Sequence, residues 1–230
     1  MYTLKIIIAS CVLLPLLVSG NAFCLDPAIK EVFMKLNDRF CRLHDYRCTY
    51  EAYSSDGTRS EKFVYDYFFQ KPKNIRMEIL TGKERGTILI YDDEEKLIHV
   101  KPGKGFLKFM SFTFAPDNQR VRDIRNHGPD HSDWGWLINK HLEDIEHFDG
   151  SKSTEEFIDC RPTIVFEFIS KDPERTDYVA REKLWIDKED YIIIKYSMYD
   201  IYGKLIQSSS FKDIELDTGF EEEMFTKFKR

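Results

Sequence analysis

The chain has 230 residues, of which 42% are hydrophobic and 32% charged, and its formal net charge is −6. A chain of this length and hydrophobic content can form one domain with a full hydrophobic core. Basic residues are spread along the chain, which argues against a nucleic-acid-binding protein. The sequence has no P-loop and no dinucleotide glycine fingerprint, and Ser208-Ser209-Ser210 lacks the surroundings of a nucleophile elbow. We therefore expect no enzymatic activity, no catalytic residue, no cofactor and no nucleic-acid partner.

The first 22 residues are typical of a cleavable signal peptide. A lysine precedes the apolar run 6–18, which is short for a membrane span, and Gly20-Asn21-Ala22 offers small residues for cleavage after Ala22. This predicts export to the periplasm. Lipid modification of Cys24 is the alternative, but the bulky Phe23 before it favours the cleavable signal.

Four cysteines follow this segment: Cys24, Cys41, Cys48 and Cys160. In an oxidising compartment, an even number suggests disulfides. A predicted helix would hold Cys24 roughly 25 Å from Cys41, at ~1.5 Å per residue, which is too far for a bridge. Two full pairings remain open: Cys41 with Cys48 plus Cys24 with Cys160, or Cys24 with Cys48 plus Cys41 with Cys160. A single bridge between Cys48 and Cys160, or four reduced thiols, are further alternatives.

Two amphipathic helices are predicted. The first begins at Asp26-Pro27 and continues through apolar residues at helical spacing to Phe40. The second follows Ser132 or Asp133 as a cap, and its helical pattern runs from Trp134 to Phe148. We expect these helices to act as lids through Val32, Phe33, Leu36, Leu137, Ile138 and Ile145.

The remaining chain alternates apolar and polar residues, as antiparallel strands do. The clearest stretch is 176–225, where one strand ends at Trp185-Ile186, a second covers 191–199 and a third covers 205–216. Further strands are predicted around 46–52, 63–69, 75–79, 88–91, 97–100 and 164–168. A sheet of roughly nine to eleven strands curls. We expect residues 23–230 to form one α+β domain, mostly antiparallel β, shaped as a curved unclosed barrel with helices over its concave face.

The stretch 106–114 is crowded with Phe, Leu and Met side chains, and its alternation is poor. It can be interpreted as a buried strand or as one lip of a hydrophobic cavity, because Met and Phe adapt to irregular apolar partners.

Residues 69–78 and Ile88–Asp92 resemble a segment of LolA-type outer-membrane lipoprotein carriers, in which a phenylalanine, a proline and an arginine precede a strand and a hairpin. The chain is also similar to uncharacterised secreted relatives of that superfamily. The shared patterns are Asp45-Tyr46-Arg47-Cys48-Thr49, Asn126-His127, the strand 160–168, Trp185-Ile186-Asp187-Lys188, Tyr199-Asp200 and Gly203.

The resemblance implies a lidded half-barrel whose apolar interior takes the acyl chains of a lipid or lipoprotein, as in outer-membrane lipoprotein sorting. We expect a monomer without catalytic function, and we expect the ligand to contact the aromatic side chains of the concave face. The predicted cavity residues are Phe63, Tyr65, Tyr67, Phe69, Phe109, Phe112, Phe114, Trp136, Phe166 and Phe168.

Two alternatives belong to other classes of protein. The first is an interaction or sensor module that binds another envelope protein through its sheet. The second is a metal-dependent enzyme with ligands from His127, Asp130, His131 and Asp133, since imidazole and carboxylate groups suit transition metals. Their spacing matches no strict metal motif, so the main prediction contains no metal.

Overall fold

The computed structural model describes residues 27–226 and residue 228. The predicted signal peptide and Cys24 lie outside this part. The helices are α1 (Pro27–Arg42), α2 (Trp134–Asp144) and α3 (Glu223–Thr226). The strands are β1 (Asp45–Ser55), β2 (Ser60–Gln70), β3 (Asn74–Ile79), β4 (Ile88–Asp92), β5 (Leu97–Lys101), β6 (Phe112–Phe114), β7 (Phe148–Ile158), β8 (Arg161–Ser170), β9 (Arg181–Asp187), β10 (Ile193–Tyr199) and β11 (Leu205–Leu216). Within the described residues, no helix has both the length and the hydropathy that crossing a membrane requires.

All eleven strands belong to one antiparallel sheet in the order β6-β5-β4-β3-β2-β1-β11-β10-β9-β8-β7. Each strand pairs with its neighbours in sequence, except where β1 pairs with β11 and joins two meanders. The sheet does not close, because β6 and β7 remain at its edges. The predicted fold class, a mostly antiparallel unclosed half-barrel with helices, is confirmed.

Helices α1 and α2 pack on one half of the concave face, over strands β8 to β11, the start of β1 and the end of β2. The ring of Trp134 on α2 stacks on Tyr46 of β1, with 4.0 Å between ring centroids. Phe33 on α1 contacts Phe166 and Phe168 of β8. These aromatic contacts bury large apolar areas, so this half of the sheet contributes much of the hydrophobic core.

Both helices begin where the sequence predicts, but the second helix ends earlier than predicted. Pro27 is the first residue of α1, where its missing N–H leaves no hydrogen bond unmade. The carboxylate of Asp133 accepts from the backbone N–H of Trp136 at 3.0 Å and so caps α2. The prediction that Phe148 lies on this helix is wrong: α2 ends at Asp144, and Phe148 begins β7.

The cysteine prediction also needs correction. Cys41, Cys48 and Cys160 are free thiols, so no disulfide joins these three. Cys41 is exposed on α1, whereas Cys48 is buried in the core beneath the helices. Cys160 lies in the β7–β8 turn, four strand positions from β1, which is roughly 19 Å at ~4.8 Å per strand. A disulfide cannot span that distance.

Candidate functional site

A cavity of about 420 Å³ lies on the half of the concave face that α1 and α2 leave uncovered. Its wall is the concave side of β1 to β6, and residues 120–132 pass over it. The apolar lining comes from Tyr50, Ala52, Phe63, Tyr65, Met77, Ile79, Leu89, Val100, Phe112, Phe114 and Val121. The volume falls in the range of small-molecule sites, and most of the wall is apolar.

The guanidinium of Arg122 holds the segment over the cavity in place. It donates to the carbonyl oxygens of Pro116 at 2.5 Å and Asn126 at 2.8 Å. It also lies 3.1 Å from Oδ2 of Asp130 and 3.1 Å from Nδ1 of His131. One side chain therefore ties together four positions of this segment, which we call the roof segment (residues 115–132).

Asp123 anchors the roof segment to the sheet. Its carboxylate accepts from the backbone N–H groups of Arg125 at 2.9 Å and His127 at 2.8 Å, and from the hydroxyl of Ser54 at the end of β1. Burial would raise the pKa of Asp123, but the contacts with His127 and Ser54 outweigh it and lower the pKa to about 2. The carboxylate is therefore ionised near pH 7.

His131 closes the other end of the roof segment. Its ring stacks on Trp136 of α2, with 4.9 Å between centroids and an interplanar angle of 15°. Burial lowers the pKa of His131 to about 4, and the positive charge of Arg122 adds to this against the opposing effect of Asp130. The imidazole is therefore neutral near pH 7, which suits its hydrogen bond with the Arg122 guanidinium.

Polar groups of β11 and β1 form a second side of the cavity. The Tyr50 hydroxyl and Ser209 hydroxyl are 2.9 Å apart. Gln207, beside them in the lining, is only 7% exposed. No group in the described part of the chain hydrogen-bonds to its Oε1 atom. A buried carbonyl oxygen without a donor is costly, and a ligand or water that enters the cavity can supply the missing hydrogen bond.

The structure divides the predicted cavity residues into two groups. Phe63, Tyr65, Phe112 and Phe114 line the cavity. Phe69, Phe166 and Phe168 are buried and do not line it, because Phe33 and Phe40 of α1 pack on them. Tyr67 is also buried and does not line it: its ring stacks on Tyr46, and its hydroxyl accepts from Ser132. Trp136 is covered by His131, and Phe109 points to solvent from a 3₁₀ turn. Placing these six in the cavity was therefore incorrect.

The predicted lid residues lie on the helices, but they cover the packed half of the sheet and not the cavity. Phe33, Leu36, Leu137 and Ile138 are buried, and Val32 is half-buried against them. Ile145 lies just beyond α2 in a 3₁₀ turn, and its side chain is outside the described part of the structure. The actual cover of the cavity is the roof segment, which the sequence showed only as an irregular stretch.

The alternative metal site is not assembled. Arg122 holds Asp130 at 3.1 Å, and Lys73 lies 3.5 Å from the deeply buried Asp133. Among the described residues, the group with ligand atoms close enough for a metal is Asp92, Glu95 and His99, at the β4–β5 turn. There the Asp92 carboxylate already accepts from the turn's own N–H groups. None of these three residues lines the cavity, and only Glu95 among them is exposed.

A buried ion cluster under α2 is the other polar feature of the interior. Oε1 of Glu182 on β9 lies 2.9 Å from Nζ of Lys140, and Oε2 lies 3.2 Å from Nε2 of His141. Burial would raise the pKa of Glu182, but Lys140 and His141 lower it to about 2. Since its charges neutralise one another within the helix–sheet interface, the cluster joins α2 to the sheet.

Comparison with known proteins identifies the family. A protein-family model described as an uncharacterized protein matches residues 99–228, more than half of the chain. The chain belongs to this family. No curated protein matches it.

Several solved structures share the fold. An uncharacterized conserved protein from Thermus thermophilus matches at 10% identity over 88% of this chain and 95% of its own, with a TM-score of 0.54. Lipoprotein LppX from Mycobacterium tuberculosis matches at 12% identity over 85% and 98%, with a TM-score of 0.53. The MucA/MucB complex from Pseudomonas aeruginosa provides a match at 11% identity over 86% of this chain and 60% of the matched chain, with a TM-score of 0.52.

Structures of the superfamily that the sequence resembles are also found, including a LolA superfamily protein from Nitrosomonas europaea at a TM-score of 0.40. The predicted resemblance is confirmed as a likeness in fold, which the matches with TM-scores above 0.5 share. At these identities, the likeness concerns the fold alone.

Proposed function

We propose that this protein is a non-enzymatic envelope protein that binds the acyl chain of a lipid or lipoprotein in the cavity between β1–β6 and the roof segment. The observation that carries the proposal is the cavity itself: about 420 Å³ of mostly apolar space in an otherwise packed interior, with the unpaired Oε1 of Gln207 at its polar side. Export through the predicted signal peptide would place the protein where such ligands occur.

The size of the cavity favours one acyl chain. A volume of 420 Å³ equals that of about 14 water molecules at ~30 Å³ each, and a methylene group is of similar size. Each buried methylene contributes about 0.8 kcal/mol, so a chain of that length gains on the order of 10 kcal/mol before the costs of ordering it. Binding needs no catalyst, which agrees with the lack of a catalytic motif in the sequence.

The polar side suits the head of such a ligand. Gln207 offers an acceptor, and the hydroxyls of Tyr50 and Ser209 both donate and accept. A ligand with a hydroxyl or amide group next to its acyl chain would satisfy Gln207 while the chain lies against the aromatic wall.

The test replaces a small wall residue with a large one. Ala52 on β1 lines the cavity opposite Phe63 of β2, so Ala52→Trp should fill the space and reduce uptake of a fluorescent fatty-acyl probe by at least about tenfold. The matched control is Val64→Trp, because side chains alternate along β2 and Val64 points to the opposite face of the sheet. This control should bind like the unaltered protein.

Circular dichroism and the thermal midpoint show whether both variants fold. The proposal fails if the unaltered protein carries no lipid on native mass spectrometry and takes up no acyl probe. It also fails if a folded Ala52→Trp variant binds the probe as well as the unaltered protein does.

A second candidate function is binding of an envelope protein. It is supported by the likeness in fold to the chain matched in the MucA/MucB complex, which is an assembly of two proteins. Recovery of one stoichiometric protein partner, with no lipid and no probe uptake, would favour this function over the first.

A further inference from the structure

The loop between β5 and β6 (residues 102–111) exposes large apolar side chains to solvent. Phe106 is 85% exposed and Phe109 79%, and Leu107 and Met110 are each almost half exposed. They sit on a short 3₁₀ turn that begins after Gly105, whose φ of 70° favours glycine. Contiguous exposed apolar side chains of this size mark an interaction surface.

The charge of this loop is opposite to that of the whole protein. Residues 102–111 contain Lys104 and Lys108 and no acidic residue, whereas the chain has a net charge of −6. Nζ of Lys108 lies 4.8 Å from the centroid of the Phe109 ring, so charge and aromatic surface are interleaved.

The neighbouring β3–β4 loop adds to this basic surface. Gly103 lies so close to Gly86 that a Cβ on Gly103 would be 2.2 Å from the Gly86 carbonyl carbon. This contact, which only glycine permits, brings the exposed Lys83 and Arg85 alongside the loop. Glu84 between them is the single acidic residue of residues 80–86.

The loop stands at one end of the cavity. The strands that carry it contribute Val100 and Phe112 to the cavity wall, and Glu84 of the neighbouring loop also lines it. The antiparallel order puts the β3–β4 and β5–β6 loops at the same end of the sheet, whereas the β7–β8 turn lies at the opposite end.

We propose that residues 102–111 insert into the surface of an anionic phospholipid bilayer, with Phe106 and Phe109 in the acyl boundary and Lys104 and Lys108 at the headgroups. Aromatic and aliphatic side chains enter the interface while nearby lysines contact anionic lipids, and this loop offers that combination. Binding to the bilayer does not require the cavity. The loop would also be the place where an acyl ligand passes between the membrane and the cavity, and this second role rests on the proposed function.

The experiment measures co-sedimentation of the purified protein with vesicles of phosphatidylcholine, alone or mixed equally with phosphatidylglycerol. We expect binding to the mixed vesicles that weakens with added salt. Phe106→Ser with Phe109→Ser should reduce it by at least about tenfold, since each ring loses its apolar burial. Lys104→Gln and Lys108→Gln should each reduce it by about fivefold on the anionic vesicles.

The matched control is Phe157→Ser. Phe157 is 76% exposed like the loop phenylalanines but belongs to the β7–β8 hairpin at the opposite end. This variant should bind vesicles like the unaltered protein. Equal loss for Phe157→Ser, or no binding of the unaltered protein to mixed vesicles, would overturn the proposal. The proposal would also be overturned if the loop instead binds a second copy of this chain. The unaltered protein would then be a dimer, and the double phenylalanine variant would be a monomer.

Uptake of the acyl probe without vesicles separates the two proposals. The loop variants should retain uptake, because their side chains lie outside the cavity. If the protein binds vesicles but takes up no probe, the acyl-binding proposal is wrong and the membrane-binding proposal stands. If it takes up the probe but binds no vesicles, the membrane-binding proposal is wrong and the acyl-binding proposal stands.

Discussion

At the scale of single residues, two side chains of the roof segment make stability depend on pH in separate ranges. Burial lowers the pKa of His131 from 6.5 to about 4, so an unfolded chain binds a proton there that the folded protein does not. Stability therefore falls as pH drops from about 6.5 toward 4. Asp123, with its pKa lowered from 3.8 to about 2, contributes stability that is lost only between those lower values.

Replacing His131 with phenylalanine should remove the first of these effects. The ring can still stack on Trp136, although the hydrogen bond with Arg122 is lost, so the variant is less stable at pH 7. Between pH 7 and pH 5, the unaltered protein should lose about 1–2 kcal/mol from this group, after allowing for its partial exposure, and the variant should not. Urea unfolding at both pH values measures the difference.

His44 provides the control for this measurement, because it is an exposed histidine that lies just before β1. The His44→Phe variant should keep the loss of stability that His131 causes between pH 7 and pH 5. An equal loss of stability between pH 7 and pH 5 in the His131→Phe variant would show that another group causes it.

At the scale of elements, α2 approaches α1 closely because residue 135 is glycine. A Cβ on Gly135 would lie 2.6 Å from the ring of Phe40 on α1 and 2.8 Å from the Asp133 carboxylate that caps α2. Glycine is a poor helix former, and here the packing of the two helices requires it.

Gly135→Ala should therefore destabilise the protein by about 1–3 kcal/mol, although alanine favours helices, because the new methyl group forces the Phe40 ring or the helix to shift. Asn139→Ala, on the exposed side of α2, should be neutral or slightly stabilising. Thermal or urea unfolding distinguishes the two. A gain in stability for Gly135→Ala would mean that the helices tolerate wider separation.

The elements that the sequence revealed are those whose apolar residues recur at a simple period. Strands β9 to β11 and helix α1 have such spacing, so their pattern predicts them closely, although β10 buries residues on both of its faces. Strand β7 was missed because it is an edge strand with polar residues, which need no buried face. For the same reason the helical pattern was extended to Phe148, whose apolar side chain fits the spacing but begins that strand.

The stretch 106–114 shows a different limit. Both interpretations assumed that its aromatic residues are covered. Phe112 and Phe114 do form a short strand along the cavity, but Phe106 and Phe109 are exposed. Composition alone does not distinguish a buried phenylalanine from one that faces solvent.

At the scale of the whole molecule, the concave face has two halves with different packing. Over β8 to β11, the start of β1 and the end of β2, the helices fill the interior with aromatic contacts. Over the end of β1, the start of β2 and β3 to β6, the roof segment covers open space. Sequence patterns correctly placed aromatic residues on the concave face. They could not predict which half of that face the helices cover, because this depends on the pairing of β1 with β11, two strands that are far apart in the sequence.

This division predicts uneven protection of backbone amides. Hydrogen exchange should be slowest in β1 and β9 to β11, beneath the helices, and faster in β4 to β6, which pack on a partly empty interior. Addition of an acyl ligand should slow exchange in β3 to β6 and leave β9 to β11 nearly unchanged. Mass spectrometry of exchanged peptides measures this, with the Ala52→Trp variant as the control that should not respond. Uniform protection across the sheet would contradict the division.

The separation of the two halves also bears on how such a protein can diverge over evolution. Residues that line the hollow, such as Ala52, Leu89 and Val100, are not those that anchor the helices to the sheet. Substitutions can therefore change the cavity wall, and with it the ligand of the proposed function, while the residues that join the helices to the sheet stay the same. Divergence between homologues should then concentrate in strands β2 to β6 and leave the aromatic stack of Tyr46 and Trp134 alone.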